Sequence, residues 1–299
     1  MSEAVQQRTT SRIAPAGLLF LLTTSVGWGL NWPIMKFALS EWPPLSARGW
    51  TGIVGGLLLA LYALATGVSL KLPTDQRPRI LVSAFLNVTV WMAVMSLALL
   101  WLPASEAVVI AYTMPVWTAL LAWPLLGERL TPLRVVALVM AFAGLASLFG
   151  ANGLSASVTK LPGLLLALTG SFGFALGTIF VKRYPIKLPG ATSAAWQIGL
   201  GSLPVALAGT LIEHPDVFAP TAAGWASLSY MTIVGFCIAY VTWFAALERL
   251  PASIAAIGTM LAPVIGVAVS ALALHEPLGL PQIAALAFTV AGVALAARS

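Results

Sequence analysis

Residues 103–130 read PASEAVVIAYTMPVWTALLAWPLLGERL, and residues 251–278 repeat the pattern as PASIAAIGTMLAPVIGVAVSALALHEPL. The two stretches align without a gap, and the alignment continues beyond them. Its identical pairs include Pro103 with Pro251, Ser105 with Ser253, Pro115 with Pro263, Glu128 with Glu276 and Gly144 with Gly292. A repeat of this length indicates that the second half of the chain is a copy of the first.

The repeat also extends upstream. GLLFLLTTSVGWGL at residues 17–30 corresponds to GLLLALTGSFGFAL at residues 163–176. We therefore predict an N-terminal segment at residues 1–14, a first unit at 15–150, a connecting loop at 151–160 and a second unit at 161–299. Each unit is too long and too apolar for a solenoid repeat of roughly 20 to 50 residues.

The composition is that of a membrane protein. Hydrophobic residues make up 60% of the chain and charged residues 8%, against about 25% charged in soluble domains. The net charge of +6 does not indicate nucleic-acid binding, because the basic residues lie at the ends of apolar runs and form no continuous stripe. Cys237 is the only cysteine, which excludes a disulfide within the chain.

Ten apolar runs can be counted, most of them near the roughly 20 residues that a spanning helix needs. They cover residues 15–39, 44–65, 79–100, 104–126, 132–150, 161–181, 191–211, 221–246, 252–274 and 280–297. Pro, Gly and charged residues separate them. The sequence thus predicts an all-α integral membrane protein with ten transmembrane helices.

The basic residues predict how these helices are oriented. With the first terminus inside, twelve of the fifteen Lys and Arg residues fall on the inner side, and only Lys36, Arg48 and Lys160 fall outside. Such a bias predicts that both termini lie in the cytoplasm. The membrane that the protein crosses is expected to be the inner (plasma) membrane of the cell. Five helices per unit then make the two units inverted-topology repeats, which in transporters enclose a central cavity.

Several motifs together resemble a known family. The opening WGLNWPIMKFAL, the PAS start of helices 4 and 9, the Pro within each of them and the endings LGERL and LHEPL are similar to the EamA-like branch of the drug/metabolite transporter superfamily. The resemblance covers nearly the whole chain, and its character is most similar to an amino-acid exporter. It implies a ten-helix basket around a central cavity and transport of small metabolites, frequently their export. His275, Pro277 and Gln282 depart from the family pattern in one loop.

Candidate substrate-binding residues are the aromatic and polar side chains that helical spacing places on common faces, and those near the intrahelical prolines. They are Trp28, Asn31, Asn87, Trp91, Met95, Tyr112, Tyr240, Trp243 and Met260. Packing within the bundle or contact with lipid is the alternative for each aromatic residue. Asn87 favours a cavity wall, because an amide in mid-membrane needs a partner.

Five further residues are candidates for gating or for the outer mouth: Arg48, Glu106, Pro33, Pro115 and Pro263. Each proline removes a backbone donor and frees a carbonyl one turn earlier, which shapes either a cavity or merely the packing. Arg48 and Glu106 lie toward the outer helix ends. Arg48 is expected to contact outer water and attract a substrate carboxylate there, unless both charges simply snorkel or pair.

We expect a secondary exporter of small metabolites, with neutral, hydrophobic or aromatic amino acids as the leading class. A sugar-phosphate, nucleotide-sugar or drug carrier is the alternative, disfavoured for phosphates because no Lys or Arg was placed in mid-membrane. No catalytic residue, metal or cofactor is expected, since HExxH, GxSxG and phosphate-loop motifs are missing. A channel or an intramembrane enzyme fits least. A monomer is expected to function, and the lack of a carboxylate relay favours facilitated diffusion.

Overall fold

The structure is a computed structural model that describes residues 15–128, 131–147, 153–250 and 258–296. Within these residues the chain is helical and contains no β-strand. In the part of the chain that the structure describes, seven helices are long and apolar enough to cross a membrane, and three further apolar helices are shorter. These observations confirm an all-helical protein of the membrane type.

We number the helical segments in chain order. They are α1 Pro15–Ala38, α2 Pro44–Ala65, α3 Arg77–Ala98, α4 Ala104–Leu126, α5 Pro132–Ser147, α6 Gly153–Arg183, α7 Gly190–Glu213, α8 Ala222–Leu247, α9 Leu261–Ala273 and α10 Leu280–Ala296. The turn chemistry explains several ends. Pro44 starts α2 at a position where the missing N–H is not needed, and Gly127 ends α4 with a φ of 71°.

One predicted connection is wrong. Residues 151–160 were expected to form a loop, but α6 already begins at Gly153. Residues 154–161 contain neither Gly nor Pro, so nothing in them ends a helix. Lys160, in this added stretch, is held by an ion pair with Glu106, Nζ to Oε1 at 2.7 Å.

Helices α3, α4, α7 and α8 depart from regular α geometry, α7 in a π-helical segment at Gly209–Glu213. In α4, a turn at Tyr112–Thr113 separates the segments Ala104–Ala111 and Met114–Leu126, so Pro115 lies in the first turn of a new segment. α3 and α8 contain π-helical segments at Phe85–Val90 and Met231–Ile238. Such π-helical turns frequently occur at functional sites.

The packing interleaves the two halves of the chain. α2 packs against α7 and α5 against α10; α1 packs against α8 and α9, while α6 packs against α3 and α4. If five is added to each helix number, counting on from α10 to α1, the contacts of α1 with α8 and α9 become those of α6 with α3 and α4. Each half therefore completes the core of the other.

Three carboxylates cap helix starts at one end of the bundle, which we call the capped end. The Glu213 carboxylate accepts hydrogen bonds from the backbone N–H of Leu45 and Ser46 at 3.0 and 2.8 Å. Glu276 accepts from Ala104 and Ser105 at 2.6 and 2.9 Å. Each bond joins the second half of the chain to a helix start in the first half, where negative charge is favoured.

The third carboxylate belongs to the first half of the chain and caps a helix start in the second half. Glu41, which follows α1, accepts from the backbone N–H of Thr221 at 2.6 Å, next to the start of α8. Lys36 adds a cation at the same end and donates to the carbonyl oxygens of Leu99 and Leu102 beyond α3. The three carboxylates thus close the capped end by contacts that cross between the halves, and Lys36 adds contacts within the first half.

Candidate substrate site

A cavity of about 140 Å³ lies inside the bundle, between side chains of both halves. Seven of the nine predicted binding residues line it: Trp28, Asn31, Asn87, Trp91, Met95, Tyr112 and Tyr240. α1, α3, α4 and α8 carry these residues, and α6 adds Phe174. We call this space the central cavity. The spacing of four residues in α3 was therefore a correct guide to its inward face.

Seven of the eighteen residues that line the central cavity are aromatic, and their rings contact one another across the two halves. The ring centroids of Trp91 and Phe174 are 5.1 Å apart, and those of Trp28 and Tyr240 are 5.6 Å apart in an edge-to-face arrangement. Phe236 stacks on Tyr240 at 6.4 Å. Such a wall offers a ligand apolar faces with a few polar groups, as small-molecule sites usually do.

The two asparagines occupy related places. A Cβ atom built on Gly235 of α8 would lie 2.9 Å from Oδ1 of Asn31, and one built on Gly177 of α6 would overlap the Asn87 amide. Both Oδ1 atoms are buried and have no hydrogen-bond partner among the described residues. Each amide thus packs against a glycine of the other half.

Asn87 also begins a polar chain between α3 and α7. Its Nδ2 donates to the Ser83 hydroxyl at 3.1 Å, and Ser83 donates in turn to Oε1 of Gln197. The Gln197 amide donates to Ser193 at 2.8 Å. These bonds fix the orientation of an amide that would otherwise cost free energy in an apolar surrounding.

Arg48 does not lie where the sequence suggested. The expectation of contact with outer water is wrong, because the side chain is 6% exposed and lines the central cavity. Its Cζ atom lies 5.4 Å from the ring centroid of Phe236 in α8. Arg48 is one turn inside α2, and α2 packs tightly on α7, so its side chain is enclosed by the bundle. A basic side chain therefore does occur within the bundle.

A second cavity of about 500 Å³ adjoins the first and shares Tyr112, Met114 and Phe174 with it. Trp243, Met260 and Pro115 line this second space, so two predicted binding residues lie here and not in the central cavity. It reaches Glu128 and Lys182, which form an ion pair at the end of the bundle opposite the capped end. The second cavity thus lies between the central cavity and that end of the bundle.

The remaining candidates lie outside both cavities. Glu106 is buried and forms an ion pair with Lys160. It is therefore a paired charge, which was one of the two alternatives for this residue, and not a free charge at the outer mouth. Pro33 lines a separate groove between α1, α8 and α9. Pro263 is buried in α9 and lines neither cavity.

Some lining residues were missed by the sequence analysis. Phe174 and Met114 line both cavities, and Met231 lines the central one. Phe174 is the repeat counterpart of Trp28, so the alignment of the halves already contained the signal. The two methionines had no such signal, since a lone methionine in an apolar run is usually packing.

The fold and this site define a membrane transporter: a helical bundle apolar enough to span a bilayer, with an aromatic cavity shared by two related halves. The chain belongs to the EamA-like transporter family, which matches residues 15–150 and 161–298. The protein is accordingly a transporter and not an enzyme.

Relatives cover nearly the whole chain. It is 32% identical over 277 residues to the uncharacterized transporter YvbV of Bacillus subtilis, covering 93% of this chain and 90% of the relative. It is 26% identical over 291 residues to a probable amino-acid metabolite efflux pump of Salmonella typhimurium, covering 93% of each chain. A crystal structure matches with a TM-score of 0.66 at 25% identity, covering 94% of this chain and 96% of that one.

Proposed function

We propose that the protein is a secondary exporter of small amphipathic metabolites, with amino acids as the leading class, and that it works by alternating access. The observation that carries this proposal is the central cavity, which is aromatic, small and built jointly by both halves. A site at the interface of two related halves can be exposed to either side by a rearrangement of one half against the other. No cofactor or nucleic acid is needed, and one copy should suffice because one chain supplies the whole cavity.

The arrangement proposed is ten membrane crossings in two inverted five-helix units, with both termini in the cytoplasm. Corresponding helices of the two units, whose numbers differ by five, pack against equivalent partners, as the contacts of α1 and α6 show. This equivalence supports a two-fold relation between the units. The strong bias of Lys and Arg toward one set of connections supports the orientation. In this orientation the capped end faces outward, and the end with Glu128 and Lys182 faces the cytoplasm.

In this arrangement the bundle is closed on the outer side, and its larger cavity lies on the cytoplasmic side. Trp32, Met35 and Met95 are buried on the outer side of the cavity and belong to a dense apolar core with Val108 and Ala111. The larger cavity continues instead toward the cytoplasmic end. An exporter would load its substrate in this state.

Amino acids are favoured as substrates for two reasons. The aromatic wall suits an apolar or aromatic side chain, and the relative in Salmonella carries the name of a probable amino-acid metabolite efflux pump. Because Arg48 lines the cavity, an anion carrier is a second candidate. A single guanidinium balances the charge of one carboxylate, whereas a phosphate group would keep part of its roughly double negative charge uncompensated.

Counterflow in proteoliposomes tests this function. Vesicles loaded with unlabelled L-phenylalanine should accumulate labelled L-phenylalanine faster than protein-free vesicles, and L-tryptophan should compete better than L-alanine. A matched panel of a sugar phosphate and a cationic dye tests the alternatives. Competition by the sugar phosphate alone would replace the amino-acid proposal with the anion carrier.

A further inference from the structure

We propose that the central cavity selects ligands that carry a carboxylate, and that Arg48 is the counter-charge for that group. This inference rests on the proposed transport function and names the chemistry of its substrate. It starts from one feature: a guanidinium, 6% exposed, on the wall of an otherwise mainly apolar cavity.

The described residues supply no counter-charge there. Within the described residues, no carboxylate lies within 4.0 Å of Arg48. The described acidic residues lie at helix ends or in connections: Glu41, Asp75, Glu106, Glu128, Glu213, Asp216, Glu248 and Glu276. Those at the capped end are already bonded to backbone N–H groups or to Lys160. The positive charge of the cavity is thus uncompensated by the residues around it.

Such a charge is costly to keep. Burial without a paired anion is strongly unfavourable, and the Nε atom of Arg48 has no hydrogen-bond acceptor among the described residues. The face of Phe236, 5.4 Å away, gives only a weak cation–π attraction in return. Ionisable groups inside membrane bundles are rare and mark substrate pathways. A ligand anion would satisfy both the charge and the hydrogen bonds.

The surroundings define the rest of the ligand. A planar guanidinium matches a carboxylate with two parallel hydrogen bonds. The pair of Trp91 and Phe174 rings can hold an apolar body, and a volume of about 140 Å³ restricts that body to a small molecule. The same positive charge repels an amine that has no carboxylate. The cavity therefore takes amphipathic carboxylates, zwitterions included, and rejects simple cations.

Three small ligands with the same phenyl body test this selectivity on the purified wild-type protein. 3-Phenylpropionate carries only a carboxylate, L-phenylalanine both charges and 2-phenylethylamine only the ammonium. The first two should raise the apparent Tm, because a ligand that binds the folded state stabilises it, and 2-phenylethylamine should not. An equal shift with the amine, or no shift with either carboxylate, would overturn the proposal.

Variants then assign the effect to Arg48. Arg48→Gln should weaken binding of 3-phenylpropionate on the order of 30-fold or more, since one partner of a buried charge pair is removed, and Arg48→Lys should retain part of the affinity. Arg249→Gln is the matched control, because Arg249 also lies over a ring, Phe20 at 5.3 Å, but is exposed at a helix end. Affinity kept within twofold in Arg48→Gln would refute the assignment.

The two proposals fail separately. Binding that depends on Arg48 without any counterflow would disprove the transport function and leave the carboxylate site standing. If Arg48→Gln transports L-phenylalanine in counterflow as fast as the wild type, the transport function stands and the carboxylate site at Arg48 is disproved. If Arg48→Gln fails to fold, the three-ligand comparison on the wild type still tests the selectivity for a carboxylate, and Arg48→Lys tests the assignment: an affinity for 3-phenylpropionate unchanged in Arg48→Lys would refute it.

Discussion

The hydroxyl of Ser171 in α6 lies 2.9 Å from the carbonyl oxygen of Ile110 in α4. This contact falls at the break in α4, and the same hydroxyl lies 3.3 Å from the carbonyl oxygen of Ala111, the carbonyl to which Pro115 cannot donate. The second half of the chain contains the same arrangement, with the Ser25 hydroxyl in α1 3.1 Å from the carbonyl oxygen of Gly258, ahead of Pro263. A serine from one half thus hydrogen-bonds a helix break in the other.

Ser171→Ala should destabilise the protein by about 1 kcal/mol, the usual worth of such a bond in a helical membrane protein. Thermal unfolding in detergent measures the loss. Thr169→Ala is the control, because the Thr169 hydroxyl is exposed and bonds only within its own helix. Ser25→Ala should show a similar effect. Equal stability of Ser171→Ala and Thr169→Ala would show that the serine is not needed at the break.

Gly177→Ala should impair transport more than it impairs folding. A methyl group at this position overlaps the Asn87 amide and would push it toward the cavity, and overpacking typically costs about 1 to 3 kcal/mol. Counterflow and thermal unfolding should be measured together.

Two variants control this experiment. Gly199→Ala meets no atom within 4 Å and should be neutral or stabilising. Asn87→Ala combined with Gly177→Ala should recover part of the stability, because the overlap is gone. Simple additivity of the two changes would contradict direct contact.

Trp91→Ala should weaken binding of aromatic substrates by roughly 1 to 2 kcal/mol, or about five- to thirtyfold, through loss of one aromatic contact. L-alanine should be affected less. Trp123→Ala removes an equally large ring, but Trp123 is 57% exposed on the outside of α4, so its loss should leave affinity unchanged. Equal losses in the two variants would indicate a general effect on the bundle and not a binding wall.

The orientation can be tested with cysteines at Ser2 and Ser299 in a protein whose native Cys237 is replaced by Ala. Both should resist a membrane-impermeant thiol reagent in intact cells and react after permeabilisation. The reason is the bias of twelve Lys and Arg residues against three. Labelling of both positions in intact cells would reverse the topology.

The sequence predicted an all-helical protein of the membrane type, because length, hydropathy and turn residues act locally. It predicted the inward face of α3 for the same reason: Asn87, Trp91 and Met95 are related by helix geometry alone. Arg48 shows the limit. Its place near the start of α2 said nothing about the direction of its side chain or about where the bundle is closed. Ser25 and Ser171 required a further step, since their partners are backbone atoms of the opposite half.

The final prediction concerns the capped end. Glu276 belongs to the second half but caps the start of α4 in the first, so the two halves cannot separate there without breaking both hydrogen bonds. Glu276→Gln weakens charge-assisted hydrogen bonds to a helix start. It should therefore destabilise the arrangement that is closed to the outside by about 1 kcal/mol relative to the open one. That change corresponds to roughly a fivefold shift toward a state open to the outside.

A cysteine in place of Met35, which is 3% exposed and packed on the outer side of the cavity, reports this shift. Its labelling from outside by an impermeant thiol reagent should become about five times faster in the Glu276→Gln background, as the open population rises. Glu248→Gln is the control, because Glu248 is exposed at the opposite end and bonds only its neighbour Arg249. An unchanged rate in Glu276→Gln would mean that the cap stabilises α4 without controlling access to the cavity.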